Sequence, residues 1–96
     1  MNINFNKENN ILNLALDGRL DTTTAPEFES FLNANYEGIT FVSIDCEKLV
    51  YISSAGLRVL LSAQKKMKGS MKLTNVCELV MEVFEITGFA DILTIE

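Results

Sequence analysis

The chain has 96 residues, 48% hydrophobic and 22% charged, which is enough apolar material for a packed core and too much for an intrinsically disordered chain. Its net charge of −5 disfavours nonspecific binding to nucleic acid or to an anionic membrane, since both need clustered Lys and Arg. It has no histidine, which disfavours serine-hydrolase triads, the common zinc sites and phosphohistidine carriers together.

The chain order begins with Ile3 and Phe5 alternating with asparagines; after the polar Glu8-Asn9-Asn10 the pattern resumes at Ile11, Leu12, Leu14 and Leu16. This predicts a β-hairpin, with Gly18 permitting a bulge near the end of its second strand. Thr24-Ala25-Pro26-Glu27 matches a capping box with Thr24 as the cap. The helix that follows carries Phe28, Phe31 and Leu32 on its apolar side, and Gly38 lies beyond its end. Ile39 to Cys46, and Leu49 to Ile52 after a polar interruption, predict a central buried strand. A second helix begins near Ser54. Leu57, Leu60, Leu61 and Met67 face inward, while Ser54, Arg58, Ser62 and Lys65 face solvent or a partner.

Met71 to Thr74 reads as a further strand, and Asn75-Val76-Cys77-Glu78 resembles a capping box with Asn75 as the cap. The third helix runs to about Thr87, with Val76, Leu79, Val80, Val83 and Ile86 as its buried stripe and Glu78, Glu82 and Glu85 as an acidic one. Cys77, Met81 and Phe84 form a second apolar stripe, which wider burial or a partner-binding edge would explain. Gly88 ends this helix as a left-handed cap, and Ile92 to Ile95 form a final strand. The resulting order, β-β-α-β-α-β-α-β, predicts an α/β fold: a mixed sheet with parallel pairs, right-handed crossovers, an N-terminal antiparallel hairpin and helices packed on it.

Length and the lack of a Pro/Gly/Ser-rich linker predict one domain over residues 1–96. Cys46 and Cys77 are too far apart for a metal or redox motif and read as buried, reduced thiols. The cluster Lys65, Lys66, Lys68 and Lys72 reads as a solvated helix end. Met1 to Lys7 lacks the pattern of a signal peptide, and no run approaches the roughly 20 apolar residues of a membrane span, so a cytoplasmic protein is expected.

The chemistry concentrates in Tyr51-Ile52-Ser53-Ser54-Ala55-Gly56-Leu57-Arg58-Val59-Leu60-Leu61, where a strand gives way to a helix. A serine at such a junction either caps the helix, worth ~1 kcal/mol against Ala, or carries a phosphate held by free amides and the helix dipole. No glycine-rich phosphate loop is present.

Four fragments then resemble a known family in their order and spacing, over essentially the whole chain. They are Gly18-Arg19-Leu20-Asp21 followed by Ala25-Pro26-Glu27-Phe28, Val42-Ser43-Ile44-Asp45-Cys46, the stretch Tyr51 to Leu61, and Val83-Phe84-Glu85-Ile86-Thr87-Gly88-Phe89. The chain resembles the STAS domain proteins, specifically the small bacterial anti-sigma factor antagonists. The resemblance implies partner switching: the unphosphorylated antagonist binds an anti-sigma factor that is also a serine kinase of GHKL type, phosphorylation stops binding, and a serine phosphatase restores it. The kinase brings ATP and Mg²⁺. The antagonist itself is implied to be no enzyme and to need no metal or cofactor.

In the family pattern, Asp-Ser-Ser/Thr-Gly-Leu, the modified hydroxyl directly precedes Gly. Here Ala55 holds that place, Ser54 stands one residue earlier and Ser53 aligns with the acidic residue. Ser54 is the expected phosphorylation site, with Ser53 as the alternative. Asp21, Ser53, Ser54, Gly56, Arg58 and Ser62 are the expected partner-binding residues. Two other functions stay open: a constitutive STAS scaffold in a transporter or other signalling complex, and an enzyme with Ser54 as nucleophile beside Lys48, Lys65 or Lys66.

Overall fold

The structure, a computed structural model, describes residues 1–96. Strands β1 (Asn2–Glu8) and β2 (Ile11–Leu20) form the hairpin, closed by Asn9 and Asn10, both at positive φ. Asparagine tolerates that conformation, which two-residue hairpin turns require. The chain continues through α1 (Ala25–Asn35), β3 (Phe41–Ile52), α2 (Ser54–Lys66), β4 (Met71–Thr74) and α3 (Glu78–Thr87) to a 3₁₀ turn at Phe89–Asp91. The sheet order is β1-β2-β3-β4, antiparallel in the first pair and parallel in the other two.

Both parallel connections step one strand in the same direction. Right-handed crossovers of that kind put their helices on one face of the sheet. Strand alternation agrees: Leu12, Leu14 and Leu16 of β2 are buried, while Asn13, Ala15 and Asp17 look the other way. The core joins them to Val42 and Ile44 of β3, Met71 and Leu73 of β4, Phe28 and Leu32 of α1, Leu60 of α2 and Phe84 of α3. The opposite face is uncovered and polar, with Asn13 Nδ2 donating to Asn6 Oδ1 at 3.3 Å.

Strand β3 runs unbroken through the polar interruption. Its register against β2 shifts between Ala15 and Asp17 and again between Gly18 and Arg19, with Gly18 at φ +120°. Each shift adds one residue to β3, so its inward positions are spaced by three at Cys46, Leu49 and Ile52. The sheet thereby bends at its C-terminal end, where α2 begins.

Three expectations about the C-terminal part of the chain need correction. Ile92 to Ile95 do not form a strand: the turn after Gly88 takes up the chain through Asp91, and the tail reaches β4 only in a bridge between Leu73 and Ile95. Asn75 does not cap α3. It sits at φ 56° and its Nδ2 donates to Asp45 Oδ1 at 3.1 Å, while Cys77 occupies the cap position. The buried stripe of α3 is also different, because Leu79 and Ile86 are exposed whereas Val80 and Phe84 are fully buried. Phe84 is the largest apolar side chain of α3, and seating it rotates the helix toward the stripe shared with Cys77 and Met81.

Candidate functional site

Two helices start side by side at the bent end of the sheet. At the first, β2 ends at Leu20 and the chain turns through Asp21 to Thr24 into α1. Asp21 Oδ1 accepts hydrogen bonds from the backbone N–H of Thr23 at 3.0 Å and of Thr24 at 3.1 Å. The Thr24 hydroxyl donates to the Arg19 carbonyl at 2.7 Å and accepts from the Asp21 N–H at 2.9 Å. These two bonds orient the Thr24 hydroxyl toward the end of β2, and it makes no side-chain cap bond to α1. The expected Thr24 capping box is replaced by an Asp21 turn.

The Thr24 amide is the main cause that holds the Asp21 carboxyl below the usual carboxylate range; the Thr23 amide, the Thr24 hydroxyl and the Arg19 charge add to it against partial desolvation. Arg19 Nε lies 3.7 Å from Asp21 Oδ2, and its guanidinium stacks 4.1 Å from the centroid of the Tyr51 ring.

The second helix start is built differently. Ser53 is extended at φ −104° and ψ 176°; its N–H donates to the Leu20 carbonyl at 2.9 Å and its own carbonyl accepts from Leu57 at 3.0 Å. Its backbone makes it the cap residue. Its hydroxyl caps nothing: Ser53 Oγ is buried with no hydrogen-bond partner. Ser54, the first helical residue, is exposed.

Gly56 explains how this turn is held. A Cβ at that position would lie 2.7 Å from Leu20 Cγ, 2.9 Å from the Leu20 carbonyl oxygen and 3.0 Å from Ile52 Cγ1. Only glycine lets the first turn of α2 rest on the ends of β2 and β3. Gly56 is thus beneath the site, while Ser54, Arg58 and Ser62 form the exposed face above it. Lys65 and Lys66 sit three turns further on, about 16 Å along the axis from Ser54, too far to activate its hydroxyl.

A groove of about 270 Å³ runs between α1 and α2, with Thr22, Pro26 and Glu29 on one wall and Ala55 and Arg58 on the other. A second hollow of about 300 Å³, sharing Glu29 and Val59, extends it to Tyr36, Ser62 and Lys66. The α1 wall was invisible in the sequence, because its spacing shows only which side of α1 is apolar and not which helix lies alongside.

The two cysteines are free, Cys46 buried and Cys77 half-buried with Sγ 3.5 Å from the Leu49 carbonyl oxygen. Burial, with minor contributions from Asp45 and Cys77, pushes the Cys46 thiol up to about 12, so it stays protonated.

The STAS domain family model matches residues 2–96. The chain is 38% identical over 96 residues to BtrV of Bordetella bronchiseptica, named as a candidate anti-sigma factor antagonist, with 96% of this chain and 83% of BtrV covered. It is 30% identical over 98 residues to the anti-sigma-B factor antagonist of Bacillus subtilis, covering 99% of this chain and 90% of that one. The Bacillus protein SpoIIAA, an anti-sigma factor antagonist, has the same fold. Its unphosphorylated form superposes with a TM-score of 0.76 at 13% identity, over 99% of this chain and 87% of the other. Its phosphorylated form gives 0.75 at 15% identity, over 99% and 91%.

Proposed function

The chain belongs to the STAS domain family, among its anti-sigma factor antagonists, and on that premise we propose that it binds an anti-sigma factor through the start of α2 and lets go when Ser54 is phosphorylated. The observation that carries this reading is the asymmetry of the two serines. Ser54 is exposed at the first position of a helix with no side-chain cap, whereas the hydroxyl of Ser53 is buried.

A phosphate on Ser54 adds about −1.5 to −2 charges at the positive end of the helix dipole, where free amides favour it. Helix α2 therefore stays formed, and the effect falls on the surface. A partner packed over Ser54, Arg58 and Ser62 meets a bulky dianion and is repelled or displaced. Arg58, one turn on, pairs with a partner carboxylate in one state and with the phosphate in the other. Asp21 sets the turn beside Ser54, and Gly56 supports it from below. Ala55, on the groove wall, has no hydroxyl to compete for the phosphate.

The partner in this reading is a cytoplasmic anti-sigma factor with GHKL-type serine kinase activity, which supplies ATP and Mg²⁺, and a serine phosphatase reverses the modification. The protein acts as ligand and substrate, without catalysis of its own.

The test is mass spectrometry of the protein after incubation with its kinase and Mg-ATP, alongside Ser53→Ala and Ser54→Ala. A single phosphate lost only in Ser54→Ala is the expected result. Loss only in Ser53→Ala would move the site to a hydroxyl that must first be unburied. No phosphate from an active kinase that binds the protein would overturn regulated switching and leave a constitutive scaffold.

A further inference from the structure

Helix α3 carries an outward surface that the core does not explain. Val80 and Phe84 bind it to the core, yet Leu79 is 54% exposed and Ile86 79% exposed. With the half-buried Val83 they stand at i, i+4 and i+7, one apolar ridge along the helix. Beside that ridge runs a second one, Glu78, Glu82 and Glu85, all exposed. The helix has no basic residue, and none of the three glutamates forms an ion pair; the chain's two ion pairs are Arg19 with Asp21 and Lys72 with Glu96. Neighbouring glutamates three and four apart repel one another, and a large apolar residue in water gains nothing. Both costs are relieved by one kind of ligand.

We propose that this face of α3 is a second docking surface, taking a cationic amphipathic helix of a partner protein: its apolar side on Leu79, Val83 and Ile86, its Lys or Arg residues along Glu78, Glu82 and Glu85. The charges select this occupant. A second copy docked by two-fold symmetry would bring two acidic ridges together, and an anionic membrane would be repelled. None of these residues lines the groove between α1 and α2. Docking here is independent of the Ser54 face and of its phosphorylation.

The test uses a synthetic amphipathic helix built of Leu and Lys, a Leu and Glu peptide of the same pattern, and amide chemical-shift mapping on the full chain. The Lys peptide is expected to shift the resonances of residues 77–88 and the Glu peptide to leave them in place. Leu79→Ser and Ile86→Ser each weaken binding about ten-fold, whereas Arg58→Ala leaves it unchanged. Reversing the ridge with Glu78→Lys, Glu82→Lys and Glu85→Lys transfers the preference to the Glu peptide, a gain that a misfolded variant could not produce. Equal binding of both peptides, shifts centred on the α1–α2 groove or the open sheet face, or concentration-dependent shifts of α3 without peptide would overturn the proposal, the last in favour of a second copy.

Discussion

Helices α1 and α2 begin side by side, neither with a side-chain cap, and the residues that lead into them are bonded in opposite ways. The turn that leads into α1 is tied off: Asp21 supplies a carboxylate to the amides of Thr23 and Thr24, and the Thr24 hydroxyl is tied to Arg19 and Asp21. The start of α2 has a serine in the cap position whose hydroxyl is buried without a partner, followed by an exposed serine. A carboxylate is already built into the turn before one helix, while the start of the other has room for an anion to arrive. The reversible phosphate proposed for Ser54 would need amides without a permanent side-chain acceptor, and the start of α2 has them.

The largest effect on this contrast comes from removing what places α2. Gly56→Ala pushes a methyl group into Leu20, including its backbone oxygen, at distances no real Cβ shows. The gain of ~1 kcal/mol in helix propensity does not offset the overpacking, and a net loss of about 2 kcal/mol is expected. Thermal unfolding should show a drop of about 10 °C, and partner binding should weaken because the helix start lifts from the sheet.

Next comes the turn before α1. Asp21→Ala removes the acceptor for two amides, so its melting temperature should fall by less than that of Gly56→Ala but measurably. The sign with pH follows from the depressed carboxyl. Its contribution is present above the unfolded carboxylate value of 3.8 and is lost as the pH falls through the lower folded value. The difference in stability between the wild type and Asp21→Ala, followed by denaturant titration, should therefore be constant near neutrality and shrink in acid.

The open end predicts the opposite response to charge. Ser54→Asp places a carboxylate against the positive end of α2 and should stabilise the fold by about 0.5 kcal/mol while lowering affinity for the anti-sigma factor. Stability and binding then move in opposite directions. A variant that lost both would point to damage to the turn, not to a surface switch.

Much of this architecture was legible in the sequence. Alternation in Leu12, Leu14 and Leu16, the two-asparagine turn and the Gly18 bulge all depend on nearest neighbours along a strand, and each is found where local chemistry put it. Ser54, Arg58 and Ser62 share an exposed face because helical spacing alone decides it. What escaped depends on contacts distant in sequence. The Thr24 hydroxyl was diverted by the Arg19 carbonyl, whose position is set by the pairing of β2 with β3. The two apolar stripes of α3 competed for the core, and Phe84 settled which one won. Spacing counts stripes but does not weigh their fit. The burial of Ser53 Oγ is of the same kind: two adjacent serines are alike until the turn is built.

That pair gives the smallest and most discriminating measurement. If Ser53 were an ordinary capping serine, Ser53→Ala would cost ~1 kcal/mol. In the structure its hydroxyl is already desolvated and bonded to nothing, so deleting it removes a buried, unsatisfied group and leaves only a small void. A change within about 0.5 kcal/mol of zero, in either direction, is expected from denaturant unfolding. A loss near 1 kcal/mol would mean that Ser53 Oγ turns to cap α2 in solution. The free amides would then have an owner, and a phosphate on Ser54 would have to displace it before gaining the helix terminus.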